Sequence, residues 1–147
     1  MTPDERAAIL QFMANNGLPN AHNFLYAETG LRPHVHFSLS LFAWPLYQTA
    51  AMTPTVLIFT SEAVITVSMP LWTHTAQLTG FTLASRYVTV YPTADIINLS
   101  VDHRGTDYWL CLQTRSSHRY FYLYIDERDP SVNAYNLWHL MENDFFE

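Results

Sequence analysis

The sequence predicts an α+β fold: a mainly antiparallel curved sheet or barrel of about six or seven strands, with an extra helix before it and an amphipathic helix capping it. Three observations carry this. Tyr91 to Asp126 falls into three short strand-like runs joined by two polar turns. Thr55 to Met69, TVLIFTSEAVITVSM, sets two β-branched runs either side of Ser61-Glu62, the pattern of a hairpin. Residues 131 to 146 place Ala134, Leu137, Trp138, Met141 and Phe145 at 3, 4 spacing, which makes one helical face apolar. A chain of 147 residues with 49% apolar and 14% charged residues is expected to form a single domain, 1–147, around a real core. Residues 1–33 read as a helix and loop extension, and 34–146 as the core.

Taken in order, Thr2-Pro3-Asp4-Glu5 is a helix start: a capping hydroxyl, a proline at the first helical position and an acid where a capping box wants it. Ala8, Ile9, Phe12 and Met13 form the buried stripe, and Asn15-Asn16-Gly17 ends the helix. Leu18 to Pro33, broken by Pro19, Gly30 and Pro33, reads as loop or a further helical turn. His34 to Phe42 alternates as a strand, with Val35, Phe37, Leu39 and Leu41 inward and His34, His36, Ser38 and Ser40 outward. Ala43 to Met52 reads as a covering loop or short helix, because Pro45 discourages helix at Trp44. After the hairpin, Pro70 to Gly80 is a long connection and Phe81 to Tyr91 a further strand. Ile97, Leu99 and Val101 then share one strand face, with Gly105 free to take positive φ in the first meander turn. Asp107 to Gln113 is apolar on both faces. Arg119 to Ile125 sets Tyr120, Tyr122 and Tyr124 against Phe121, Leu123 and Ile125. Asp129-Pro130 opens the last helix, which is expected to lie across the open end of the sheet.

Charge narrows the function. Thirteen acids, seven arginines and no lysine give net −6. Proteins that live on phosphate backbones or anionic lipid show a basic stripe, and none appears, so nucleic acid, phosphoinositide and membrane are unlikely partners. The single Cys111 excludes an intramolecular disulfide and a cysteine-based zinc cluster. The first residues lack the charge pattern of a signal peptide, and no run is long and apolar enough to span a bilayer, so a cytoplasmic protein is expected.

Candidate chemistry is thin. On a strand, His34-x-His36 would put two imidazoles on one face about 7 Å apart. That pair could hold a metal if His22, His74 or His118 supplied a third ligand; two surface histidines is the plainer reading, and no metal or other cofactor is expected. Cys111 with His103 or His118 could be sketched as nucleophile and base, but a mid-strand cysteine usually behaves as a small buried hydrophobe. No catalytic residue is assigned. Arg104 and Arg115 to Arg119 lie on successive meander turns, which alternate ends of the sheet and so oppose a shared anion rim. The aromatic content of 15% draws attention to the stripe Tyr120, Tyr122 and Tyr124 with Trp109 beside it. Such a ladder marks an interface if exposed, or a covered face if the terminal helix lies on it through Trp138 and Met141.

The succession of hairpin, strand, meander and terminal helix resembles the pleckstrin-homology-like superfold, in the form of bacterial PH-like and GRAM-like domains. The residues carrying the resemblance are VLIFTSEAVITV, YPTADIINLSV and FYLYID before the last helix, and it spans roughly 34 to 146. A small half-open sheet of lipocalin-like or cystatin-like kind is the other fold considered. The resemblance implies a non-enzymatic module that binds a protein or associates with itself. A small-molecule binder with an aromatic-lined pocket is the alternative. Phosphoinositide-binding members carry a basic motif between their first two strands, whereas Ala43 to Thr55 holds no Lys or Arg.

Overall fold

The computed structural model describes residues 3–18, 21–68, 81–123, 125 and 132–146, without the side chains of 48–51. Helix α1, Pro3–Asn15, ends as its sequence indicates. Gly17 takes φ 65°, and Leu18 N–H reaches back to the Met13 carbonyl at 2.9 Å. The expected cap, Thr2, lies outside the described residues, as do Pro70 to Gly80.

Seven strands follow: β1 Phe24–Gly30, β2 Thr53–Phe59, β3 Ala63–Ser68, β4 Val88–Pro92, β5 Ile96–Arg104, β6 Asp107–Thr114 and β7 His118–Leu123. They form one antiparallel sheet in the order β4-β3-β2-β1-β7-β6-β5. Two meanders, β1 to β4 and β5 to β7, are therefore joined where β1 pairs with β7. The sheet does not close into a barrel, although its edge strands β4 and β5 are consecutive and linked by a single 3₁₀ turn, Thr93–Asp95.

The hairpin, the meander and the terminal helix form at the residues the sequence assigns to them, but the helix packs on one face of the sheet and against β1 rather than across an open end. Three segments differ. Phe24–Gly30 is a strand rather than a loop, and a central one, hydrogen-bonded on both sides; partners on either side outweigh weak local preference. His34 to Phe42 is helical, not extended: α2 covers Pro33–Phe42, followed by α3, Trp44–Ala51. Period-2 alternation misleads here because Pro33 starts a helix. The serine hydroxyls that mimic outward strand positions instead bond back one turn, Ser38 to the His34 carbonyl and Ser40 to that of His36. Ala43 breaks the two helices (φ −145°, ψ 34°), and Pro45 sits in the first turn of α3, where its missing N–H costs nothing. Phe81 to Tyr87 is turn, with Thr82 and Ser85 bonded to each other, so only Val88–Pro92 pairs with β3. Within β5, a register shift between Ile96 and Asn98 leaves Ile97 exposed while Leu99 stays buried.

The sheet is apolar on both faces. On one, α1 lays Ile9, Phe12 and Met13 on Phe24, Val56, Ile58, Ile65 and Val67. On the other, Leu137 and Leu140 of α4 (Val132–Glu142) meet Leu25, Leu57, Phe59, Leu110, Leu112 and Phe121. The buried face of α4 is Asn133, Ala134, Asn136, Leu137 and Leu140, and Trp138 and Met141 are exposed. The two asparagines explain the rotation. β7 accompanies β1 only along Ala27–Gly30, and α4 serves the rest of that β1 edge. Asn133 accepts from the Tyr26 N–H at 2.7 Å and donates to the Tyr26 carbonyl at 2.6 Å, while Asn136 donates to the Phe24 carbonyl at 3.0 Å. Two side chains of a helix thus continue a strand ladder. Among the described residues no helix is long and apolar enough to cross a membrane.

Candidate functional site

The chemistry-bearing side chains gather on the face of β6 and β7 that α2 and α3 cover. Register places Tyr122 opposite Trp109 on one side and Glu28 on the other, and Tyr120 between Cys111 and Gly30. Tyr122 is buried. The His36 ring lies on it with centroids 3.5 Å apart and planes 7° from parallel. The Tyr47 hydroxyl accepts from Leu31 N–H at 3.0 Å and is hydrogen-bonded to His36 Nδ1 at 2.7 Å. The Tyr122 hydroxyl donates to the Leu31 carbonyl. Gly30 admits this arrangement: a β-carbon there would stand 2.7 Å from both the Tyr122 ring and the Tyr47 oxygen.

Burial sets the electrostatics of this cluster. It pushes the His36 imidazole down to about 4, with Asp107 pulling weakly the other way. It pushes the phenol of Tyr122 up, helped by Tyr47 and Tyr120, and that of Tyr47 up as well. His36 is therefore a neutral imidazole above about pH 4, with Nδ1 engaged by Tyr47.

The four residues singled out as an aromatic interface part company. Tyr122 is under α2, a cover supplied by a segment read as a strand and not by the terminal helix. Trp109 is half-buried against Phe37, with centroids 5.6 Å apart. Tyr120 is half-buried and stacks on His118 at 4.7 Å. Tyr124 lies outside the described residues. Trp138 touches Tyr108 edge-on, on the sheet's other face.

His34 and His36 do not form a metal pair. On a helix, neighbours two apart diverge by about 200°, and His34 is exposed while His36 is buried on Tyr122. Among the described residues no three of His, Cys, Asp and Glu could share a metal; His74 lies outside them. Of the two partners considered for Cys111, the structure brings His118, with Sγ to Nε2 at 3.0 Å. His103 stacks instead on Tyr108. Burial raises the Cys111 thiol, with an Asn98 amide contact at 3.7 Å opposing it. The pair thus holds a protonated thiol rather than an activated thiolate. The two meander turns lie at opposite ends of β6, so no common basic rim forms.

What sequence reasoning missed is the outer surface of α2 and α3. Leu41 is 80% exposed, Phe42 87% and Leu46 76%, with Trp44 at 37% between them. All fall in a segment without one Asp, Glu, Lys or Arg between Arg32 and Glu62. That charge-free run was visible in the sequence; the strand assignment, which turned Leu41 inward, hid its meaning. No family model, no curated protein and no solved structure matches this chain.

Proposed function

We propose that this chain is a non-enzymatic pleckstrin-homology-like interaction module that associates with a second copy of itself through the α2–α3 elbow. The observation that carries the reading is the exposure of Leu41, Phe42 and Leu46, three large apolar side chains close in sequence on a charge-free element. Isolated exposed apolar residues are ordinary; a group of three with Trp44 among them is a contact surface. Burying each is worth about 1.5–3 kcal/mol. Six across a two-fold interface give on the order of 9–18 kcal/mol, against an association cost of roughly 4–15 kcal/mol. The patch alone supports a weak to moderate dimer. An isologous contact also needs no opposite charges, and two molecules of net −6 approach best where neither carries charge.

The pleckstrin-homology-like part of the reading is supported by the two successive antiparallel meanders and the helix that follows them. The connection between β1 and β2 is the helical pair α2 and α3, longer than the Ala43 to Thr55 stretch that the resemblance implies. That connection contains Arg32 and no other Lys or Arg, which speaks against phosphoinositides and anionic membrane as partners.

The test is covalent capture. In a Cys111→Ser background, Leu41→Cys or Leu46→Cys should form a disulfide-linked dimer on mild oxidation, and Ser116→Cys on the β6–β7 turn should not. Equal yields at all three positions would mean random collision and no elbow interface.

A small-molecule reading is favoured by one further feature. A cleft of about 460 Å³ opens where β4 and β5 part, between Val64, Ile96, Leu99, Phe145 and Phe146, with Thr60, Thr93 and Asp144 at its margin. If it holds an apolar ligand, Leu99→Trp should abolish binding of that ligand without changing the association state.

A further inference from the structure

We propose that the pocket between α2–α3 and the paired ends of β6 and β7 is a binding site for a small alkylated ammonium ion of choline size. The pocket measures about 140 Å³, room for about five waters at roughly 30 Å³ each. Its walls include Phe37, Trp44, Tyr108 and Tyr122, and it also meets His36 and Asp107.

The ligand class follows from what these residues offer. Aromatic faces carry negative charge at their centres and attract cations, most strongly when water is excluded. This cluster already does so, since the Arg104 guanidinium lies 5.4 Å from the Phe37 centroid. Among the described residues Asp107 is the one charged residue lining the pocket, and it stands exposed where β6 begins. An anion would face that carboxylate. An ordinary inorganic cation would have to exchange its hydration shell for rings, which an alkylated ammonium, with its apolar skin, does not.

His36 completes the argument. A protonated imidazole in the wall would repel a cation, and here burial keeps the ring neutral, with Nδ1 hydrogen-bonded to the Tyr47 hydroxyl at 2.7 Å. Nε2 is the ring nitrogen that Tyr47 does not hold, and a hydroxyl on a short tail can pair with it in either tautomer. Aromatic walls, a carboxylate at the rim and one neutral imidazole suit choline and its hydroxyl-bearing relatives better than a bare tetraalkylammonium. The site lies within one chain and does not depend on self-association.

The experiment is calorimetric titration of the purified protein into the millimolar range with choline and with 3,3-dimethylbutan-1-ol, its uncharged isostere. Choline should bind at least ten-fold more tightly than the isostere. Asp107→Asn, at an exposed position that leaves the fold intact, should weaken choline about ten-fold and leave the isostere unchanged. Tyr108→Leu should weaken choline also, and a circular dichroism spectrum like that of the wild type shows that the loss is not unfolding. Equal affinity for the two ligands overturns the proposal, as does absence of choline binding or an Asp107→Asn protein that binds choline as tightly as the wild type.

Discussion

At His36 the imidazole is clamped between the Tyr122 ring and the Tyr47 hydroxyl, and burial keeps it from taking a proton until about pH 4. Its ordinary value is 6.5. Between those values the unfolded chain binds a proton that the native one refuses, so stability rises with pH across the window and is lost as pH falls through it. The loss is on the order of 2 kcal/mol, discounted from the full linkage value because part of the ring meets a pocket. Urea unfolding at pH 7 and pH 4.5 should show a smaller decline for His36→Gln than for the wild type; identical declines would mean that His36 does not resist protonation. Gly30 makes a second, purely steric prediction. Its φ is not positive, so Gly30→Ala suffers no backbone strain, yet the added methyl meets Tyr122 and Tyr47 at 2.7 Å. Overpacking of that kind should lower unfolding free energy by about 1–3 kcal/mol, measured by the same denaturation. A neutral effect would show that α2–α3 does not sit on Tyr122.

On the element scale, β1 is held by a strand on one side and by a strand and a helix on the other. Replacing Asn133 by Ala removes both the acceptor for Tyr26 N–H and a donor to its carbonyl. Orphaned buried groups cost about 1–3 kcal/mol each, so Asn133→Ala should destabilise more than Asn136→Ala, which loses one such bond to β1. Hydrogen exchange at the Tyr26 amide reads this directly. Protection should fall in Asn133→Ala, and unchanged protection would mean that the helix is not part of the ladder. The elements that could be read from sequence are those whose signals are local: the turn at Ser61-Glu62, Gly105 at φ 63°, Gly17 at φ 65° and the 3, 4 spacing of α4. β1 could not be read, because a strand buried on both faces has no alternation and Glu28 interrupts its apolar run. In α2, alternation of Val35, Phe37, Leu39 and Leu41 fits a strand as well as it fits nothing helical; only the position of Pro33 and the need to cover Tyr122 decide for helix. The aromatic importance of Trp109, Tyr120 and Tyr122 was legible, but which element covers them was not, since that depends on contacts between segments about 85 residues apart, such as His36 with Tyr122.

For the molecule as a whole, one helical pair divides its labour between two surfaces. The inner side of α2–α3 closes over Tyr122 and fixes the sheet; the outer side, Leu41, Phe42 and Leu46, is left to solvent, and these three are the most exposed large apolar residues among those described. Solution mass by light scattering, on wild type and on a Phe42→Ser/Leu46→Ser double variant, tests that division most directly. The account predicts a dimer that the two substitutions convert to monomer with an unchanged thermal transition, because neither side chain contributes to the core. A wild type that stays monomeric at high concentration, or a double variant that keeps its mass, would contradict it.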